Sequence, residues 1–131
     1  MPHLQIDINC NLDDSAKKII TDRIKTLFSK VMDTGTDHIA ISIREHGTYN
    51  LDIGRVKNHK KGVALVNADI REGRALNKRR DLALGFIKIL NELANIPAEN
   101  IYVTFSEHKG EDFHLHEKYL HSWKEGDDPL V

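Results

Sequence analysis

The chain opens on MPHLQIDI, residues 1–8. Leu4, Ile6 and Ile8 alternate with polar residues, and this pattern predicts a strand with one buried face. Proline stands directly before this strand, at position 2, where removal of the initiator methionine would leave a secondary amine at the chain terminus. The proline ring fixes φ, so the following strand can hold the nitrogen in a defined direction.

The amine at this terminus is the candidate general base of the molecule. An α-amino group titrates at about 7.7–8.0 in model peptides. Burial and neighbouring cations both disfavour the ammonium form, so they would lower the pKa of this amine. The alternative is that Pro2 is an incidental second residue without a chemical role.

A strand-helix-strand pattern follows from this opening. Asp13, Asp14 and Ser15 predict the start of a helix, and Gly35 predicts its end. Alternating isoleucines from residue 39 to residue 43 predict a second strand. The apolar residues of the helix recur at helical spacing: Ile20, Ile24, Leu27, Phe28 and Val31.

The same pattern then recurs in the second half of the chain. Residues 63–70 predict a strand, and a further alternating strand covers residues 101–105, beyond Pro97. Residues 45–61 predict a long polar connection between the halves, with a short strand at about 49–56. The helix between the later strands has its own apolar stripe: Leu82, Phe86, Ile89, Leu90 and Leu93.

Two such units about sixty residues apart predict a structural repeat. Because each helix has one apolar stripe, both helices are expected on one face of a four-stranded sheet. The predicted fold class is therefore α+β, in the order β-α-β-β-α-β, as a single domain over residues 1–131. The repeat halves lie at about 1–44 and 62–106, and residues 107–131 form a C-terminal extension.

The second face of the predicted sheet is mixed in character. It carries Gln5, Asp7, Ser42, Tyr102, Thr104 and Ser106. Either solvent covers this face, or other subunits pack against it in a symmetric oligomer. The extension is too apolar for a free end and is expected to lie over its own subunit or a neighbour; its apolar residues are Phe113, Leu115, Tyr119, Leu120 and Trp123.

Composition excludes several classes of protein. The net charge of −1 gives no general attraction to nucleic acid or membranes, and the basic stretch 55–61 lacks interleaved aromatic residues. The single cysteine, Cys10, excludes an internal disulfide. No apolar run approaches the ~18 residues of a membrane span, and no signal peptide is recognisable. We therefore expect a cytoplasmic protein without nucleic-acid or membrane partners.

The histidines of the extension have a composition similar to that of a metal site. His114 and His116 alternate, and His121 follows closely. No cysteine or well-placed carboxylate completes a ligand set, so surface histidines are the preferred interpretation. We expect no metal and no organic cofactor.

With Pro2 before its first strand and a repeated strand-helix-strand pattern, the chain resembles the tautomerase superfamily over nearly its full length. IREGR at residues 70–74 and IYVTFSE at residues 101–107 resemble the cis-3-chloroacrylic acid dehalogenase branch. The opening residues 1–3 and the glycine-arginine before the second helix also resemble 5-carboxymethyl-2-hydroxymuconate isomerase. The resemblance implies a homotrimer whose sites open at each N-terminal proline and are lined partly by a neighbouring subunit.

The resemblance also implies roles for particular residues. Pro2 matches the catalytic proline, and Arg71 and Arg74 match two arginines that hold the substrate carboxylate. A guanidinium group binds a carboxylate through two parallel bonds, which suits that role. Arg44, at the end of the second strand, is a weaker candidate for the same pocket. Without the resemblance, the arginines would be interpreted as solvated surface charges.

Groups that the dehalogenase branch uses for water addition are not matched. In this chain, Thr104 occupies the position of a tyrosine of that branch, and Phe28 falls near the position of a histidine on its first helix. The late catalytic glutamate of the branch has no counterpart in register among Glu111, Asp112 and Glu117. Keto-enol proton transfer needs less, because one base and stabilising cations suffice. The sequence therefore predicts a cofactor-independent tautomerase or isomerase acting on a small unsaturated keto acid or dicarboxylate.

Two alternatives remain open. The first is a hydratase or weak cis-3-haloacrylate dehalogenase, in which a cationic Pro2 acts as an acid. The second is a non-catalytic trimeric interaction protein of the same fold. A retained Met1 would favour this second alternative, because acylation of the proline nitrogen removes the base.

Overall fold

The computed structural model describes residues 2–121 and Lys124. Its strands and long helices follow the order β1 (His3–Ile8), α1 (Asp14–Met32), β2 (Ala40–Glu45), β3 (Ala64–Arg71), α2 (Leu76–Ala94) and β4 (Ile101–His108). Short 3₁₀ turns at His59–Lys61, Ala98–Asn100 and Gly110–Asp112 lie between or after them. Met1 and Trp123, on which the sequence analysis draws, lie outside the described residues.

The four strands form one sheet in the order β2-β1-β3-β4. The outer pairs, β1 with β2 and β3 with β4, are parallel, and the central pair is antiparallel. In the central pair, His3 lies opposite Asp69 and Ile8 lies opposite Ala64. The start of β1 therefore meets the end of β3, and this arrangement confirms the predicted α+β fold.

The two halves repeat with a constant offset. Helix α1 begins at Asp14 and α2 at Leu76, and each helix has 19 residues. Their C-caps, Asp33 and Asn95, both adopt the left-handed conformation, with φ of 51° and 56°. The first residue of each pair lies 62 positions before the second, and the same offset relates Pro2 to Ala64.

The first helix starts as predicted but ends earlier. The Asp13 side chain accepts a hydrogen bond from the Ala16 amide at 2.7 Å, which satisfies one of the free amides of the first turn. The predicted stop at Gly35 is wrong, because Asp33 already takes the left-handed C-cap conformation and donates its amide to the Ser29 carbonyl. Aspartate is among the residues that tolerate this conformation.

Both helices pack on one face of the sheet, and the core lies between these two layers. The helices approach closely at Gly85, where a Cβ atom would lie 2.5 Å from Leu27 Cδ2. The core includes strand residues such as Leu4, Ile6, Val66 and Ile70 and helix residues such as Ile20, Ile24, Phe28, Leu82, Phe86 and Leu90.

Residues 46–63 connect the halves without a strand, so the short strand expected at 49–56 is wrong. Their backbone groups bond locally, as in the turns from Gly47 to Asn50 and from Ile53 to Val56. The Asn9 side chain anchors this linker by donating to the carbonyl oxygens of residues 48 and 59 and by accepting from the amide of residue 63. With these partners satisfied, the linker has no need of a neighbouring strand.

The C-terminal extension folds back on its own subunit as far as it is described. Leu120 is buried, and its amide bonds to the Phe113 carbonyl at 3.3 Å. The Phe113 ring meets the His108 ring edge-on, with centroids 5.7 Å apart.

In the described part of the chain, neither long helix is apolar enough to cross a membrane.

Candidate active site

Pro2 lies buried at the start of β1. Its carbonyl oxygen accepts a hydrogen bond from the Ala40 amide at 3.0 Å, which fixes the residue against β2. The antiparallel register continues from the His3 and Asp69 pair, so Pro2 lies beside the last residues of β3. The first predicted site residue is therefore placed at the end of the sheet where Arg71 lies.

Arg71 is the last residue of β3, and only 2% of its surface is exposed. Its Nη1 donates to the His121 carbonyl oxygen at 2.8 Å, so the C-terminal extension lies against this guanidinium group. The ladder between β3 and β4 continues one step further, because the Glu72 amide donates to the His108 carbonyl oxygen at 2.8 Å. The backbone at Arg71 is thus held on one side by β4.

Gly73 turns the chain from β3 towards α2. Its φ of 118° lies in a region that residues with a side chain rarely adopt, so glycine suits this turn. Arg74 follows, 7% exposed, and its Nη2 donates to the Met32 carbonyl oxygen at 3.3 Å. Because Met32 ends α1, the cation also interacts favourably with the negative end of that helix.

A cavity of about 350 Å³ opens beside Arg74. Its walls include the apolar side chains of Val31 and Met32 and a second cation, Lys78. Lys78 lies in the first turn of α2. Arg74 precedes the N-cap of that helix, Ala75, so helical spacing in the sequence gives no signal that the two cations share a cavity. Among the described residues, neither Pro2 nor Arg71 lines this cavity.

Arg44 lies away from this end of the sheet. It is on β2 opposite Asp7, five residues along β1 from Pro2, or about 17 Å at the rise of a strand. Its Nε and Nη2 donate to the two carboxylate oxygens of Asp7 at 2.8 and 3.0 Å. The structure therefore brings Pro2, Arg71 and Arg74 to one end and leaves Arg44 at the other within the same subunit. Its predicted role remains a prediction.

The open face of the sheet carries two aspartate-histidine pairs that follow the internal repeat. Asp7 bonds to His46 at 2.7 Å, and Asp69 bonds to His108 at 2.9 Å, each 62 residues later. Partial burial alone would raise the pKa of Asp7, but hydrogen bonds from Arg44 and His46 outweigh it and hold the pKa below its usual value. For Asp69, burial is likewise outweighed by hydrogen bonds, chiefly from His108, so its pKa is also lowered.

The positions that differ from the dehalogenase branch lie in three different surroundings. The Thr104 hydroxyl donates to Asn67 Oδ1 at 3.2 Å on the open face, and Phe28 is buried in the core. Glu111 lines a cleft of about 210 Å³ together with Glu72 and His121, next to the carbonyl group that Arg71 contacts. Of the three acidic residues considered for the late glutamate, Glu111 therefore lies in the cleft nearest the candidate site.

Two histidines of the extension, His114 and His121, make aromatic ring contacts. His114 and His121 each lie against Tyr119, with centroids 5.7 and 6.0 Å apart. Within residues 2–121 and Lys124, no three histidine, cysteine or acidic side chains come together as metal ligands would.

Known proteins match this chain in their fold, whereas comparison of sequences finds no match. No protein-family model and no curated protein sequence matches this chain significantly. Among solved structures, a member of the cis-3-chloroacrylic acid dehalogenase family aligns with a TM-score of 0.81 at 17% identity, over 92% of this chain and 84% of the other.

Two further structures show how widely this fold is distributed. A fused 4-OT symmetric trimer aligns with a TM-score of 0.78 at 14% identity, over 92% of this chain and 95% of the other. A malonate semialdehyde decarboxylase inhibited by 3-bromopropiolate aligns with a TM-score of 0.72 at 12% identity, over 85% and 86%. The fold of this chain is that of the tautomerase superfamily.

Proposed function

We propose that the protein is a cofactor-independent tautomerase that acts on a small unsaturated keto acid or dicarboxylate. The observation that carries this proposal is the placement of a buried Pro2 and two buried arginines, Arg71 and Arg74, at one end of the sheet. Arginine is rarely buried so fully in proteins, and two such residues within four positions favour a binding role.

In this mechanism the secondary amine of Pro2 removes a proton from the enol hydroxyl or the α-carbon. It returns the proton to another carbon of the conjugated system, so the substrate is isomerised without net gain or loss of atoms. Arg71 and Arg74 hold the carboxylate and stabilise the negative charge that develops on the enolate. Proton transfer by a positioned amine requires its neutral form, and nearby guanidinium groups favour that form.

A hydratase or dehalogenase reaction is the alternative chemistry, since the solved structures of this fold include a dehalogenase family member. Water addition needs a proton acceptor beside the attacking water. The Thr104 hydroxyl is already bonded to Asn67 and is a poor acceptor at neutral pH. Glu111 is the residue that could supply this acceptor, because it lines the cleft next to the His121 carbonyl group, to which Arg71 donates a hydrogen bond.

The two chemistries can be compared directly in one preparation. We expect ketonisation of phenylenolpyruvate to be faster than chloride release from cis-3-chloroacrylate by several orders of magnitude. Ultraviolet absorbance follows the first reaction, and a chloride electrode follows the second. Chloride release at a rate that rivals ketonisation would overturn the isomerase assignment. Loss of that release in Glu111→Gln, with Asp112→Asn as the matched control, would then identify Glu111 as the acceptor.

Assembly as a homotrimer forms part of the proposal. The solved structures of this fold include a symmetric trimer, and the open face of the sheet holds partly buried charges that a subunit contact would cover. In the proposed trimer, Arg44 serves the site of a neighbouring subunit, and its distance of about 17 Å along the sheet from Pro2 of its own chain is consistent with that role. The substrate would thus meet residues from two subunits.

Subunit mixing tests this assembly. Light scattering should give about three times the 15.0 kDa chain mass. Pro2→Ala and Arg44→Ala variants, each of low activity alone, should recover activity when co-expressed, because about a quarter of the sites in random trimers combine both intact residues. Pro2→Ala mixed with Arg71→Ala is the control and should stay inactive. A monomer in solution, or no recovery in the first mixture, would contradict the shared site.

A further inference from the structure

A second cavity lies at the end of the sheet opposite Pro2. It measures about 390 Å³, and its lining includes Arg55, Lys57, Lys61, Pro97, Glu99 and Asn100. The linker between the halves supplies one wall, and the segment before β4 supplies the other. Because these segments precede β3 and β4, the cavity lies about 23 Å, the length of an eight-residue strand, from the Arg71 end.

Three cationic side chains, those of Arg55, Lys57 and Lys61, line this cavity. Among the residues that the structure describes, none of Arg55, Lys57 and Lys61 forms an ion pair. Some other cations of the chain do, as Lys17 does with Glu45. Glu99 is the one acidic residue in the lining, so a net positive charge remains. Like charges at close range repel each other, and a bound anion would relieve that repulsion.

Hydrogen bonds that do not involve the three cationic side chains hold the walls of the cavity in place. Asn100 is 5% exposed, and its Nδ2 donates to the Gly62 carbonyl oxygen at 2.9 Å, which joins the two walls. The Asn58 side chain accepts from the Lys60 amide at 3.0 Å. His59 bonds to Asp52 at 2.7 Å, and its carbonyl group accepts from Asn9. The backbone that carries the cations is therefore ordered before any ligand binds, which lowers the entropic cost of binding.

We infer that this cavity binds a small multivalent anion, an organic molecule or ion with two or more phosphate or carboxylate groups. Three positive side chains around one opening suit two or more oxyanion groups, and charge-assisted hydrogen bonds to them are stronger than neutral ones. Pro97 and the aliphatic parts of the lysines provide a limited apolar surface for a short carbon body. The inference does not depend on the proposed function, since none of these residues belongs to the Pro2 site.

Isothermal titration calorimetry at about 0.15 M salt, where weak long-range attraction is screened, tests the inference. Pyrophosphate and citrate are the two probes, and at least one should bind saturably with one site per chain. Binding of pyrophosphate alone would assign the site to phosphate groups, and binding of citrate alone to carboxylates. Absence of saturable binding of both probes at about 10 mM would overturn the inference.

Variants locate the bound probe. Lys57→Gln and Lys61→Gln should each weaken binding about tenfold, which corresponds to loss of one charge-assisted contact. Lys60→Gln is the matched control, because this exposed lysine lies next to Lys61 and does not line the cavity. Arg74→Ala removes carboxylate binding at the Pro2 site and should leave the binding that depends on Lys57 and Lys61 unchanged. Equal loss in Lys60→Gln, or loss in Arg74→Ala, would show that the probe binds elsewhere and would overturn the inference.

Discussion

Replacing Pro2 by alanine is expected to lower kcat for ketonisation of phenylenolpyruvate by roughly 10²- to 10⁴-fold, the contribution of a positioned general base. Alanine leaves a primary amine on a flexible residue, so both the direction and the basicity of the nitrogen change. Steady-state rates from protein whose intact mass shows that Met1 is absent provide the measurement. Light scattering of the variant should show the same assembly as the parent.

Two further measurements separate a base from a merely structural proline. The pH-rate profile of the parent should show a group that titrates below the usual range of an α-amino group, because burial near two arginines disfavours the ammonium form. A preparation that retains Met1 should be as inactive as Pro2→Ala, since its proline nitrogen is acylated. An unchanged rate in Pro2→Ala would disprove the base assignment.

Arg74→Ala is expected to raise the activation free energy by about 2–4 kcal/mol, the effect of losing one preorganised donor to a developing oxyanion. This change corresponds to a loss of about 30- to 1000-fold in kcat/KM. Arg74→Lys should restore only part of it, because lysine cannot form two parallel bonds with a carboxylate. The measurement is kcat/KM with phenylenolpyruvate in the two variants and the parent.

Arg74 also donates to the Met32 carbonyl group, so its removal destabilises the end of α1 as well. Thermal unfolding of each variant measures this structural effect separately from the kinetic one. Lys88→Ala serves as the control, since Lys88 is an exposed cation on α2, the helix that follows Arg74. A rate for Arg74→Ala within about threefold of the parent would remove this arginine from the transition state.

Periodicity predicts the fold of this chain well, because both helices and the two central strands, β1 and β3, have residues whose burial follows their spacing. Ile20, Ile24 and Phe28 are buried on α1, as their spacing predicts. Two local features were not predictable in this way. Asp33 ends α1 through a left-handed conformation that glycine usually adopts, and residues 49–56 bond to local turns instead of a strand.

The site is less accessible to sequence reasoning than the fold. Spacing alone places Arg71 and Arg74 close to each other, but it does not show that both are buried or that the His121 carbonyl group contacts Arg71, 50 residues away. Likewise, the distance between Arg44 and Pro2 depends on which strands pair and in which direction. Such information lies in the tertiary contacts, which the spacing of residues along a single sequence does not reveal.

The repeat offset of 62 residues has a consequence for how many active centres each chain can provide. Ala64 occupies in β3 the place of Pro2 in β1, and Leu12 occupies the place of Arg74. Position 64 lies within the chain, so its nitrogen is an amide and has no basicity. A doubled scaffold therefore has a single N-terminal amine, and under the proposed function it provides one catalytic centre where two separate half-length chains would provide two. Cleavage of the linker before residue 64, with proline at that position, would create a second N-terminal secondary amine, and a matching anion pocket would further need arginines at positions 9 and 12, the counterparts of Arg71 and Arg74.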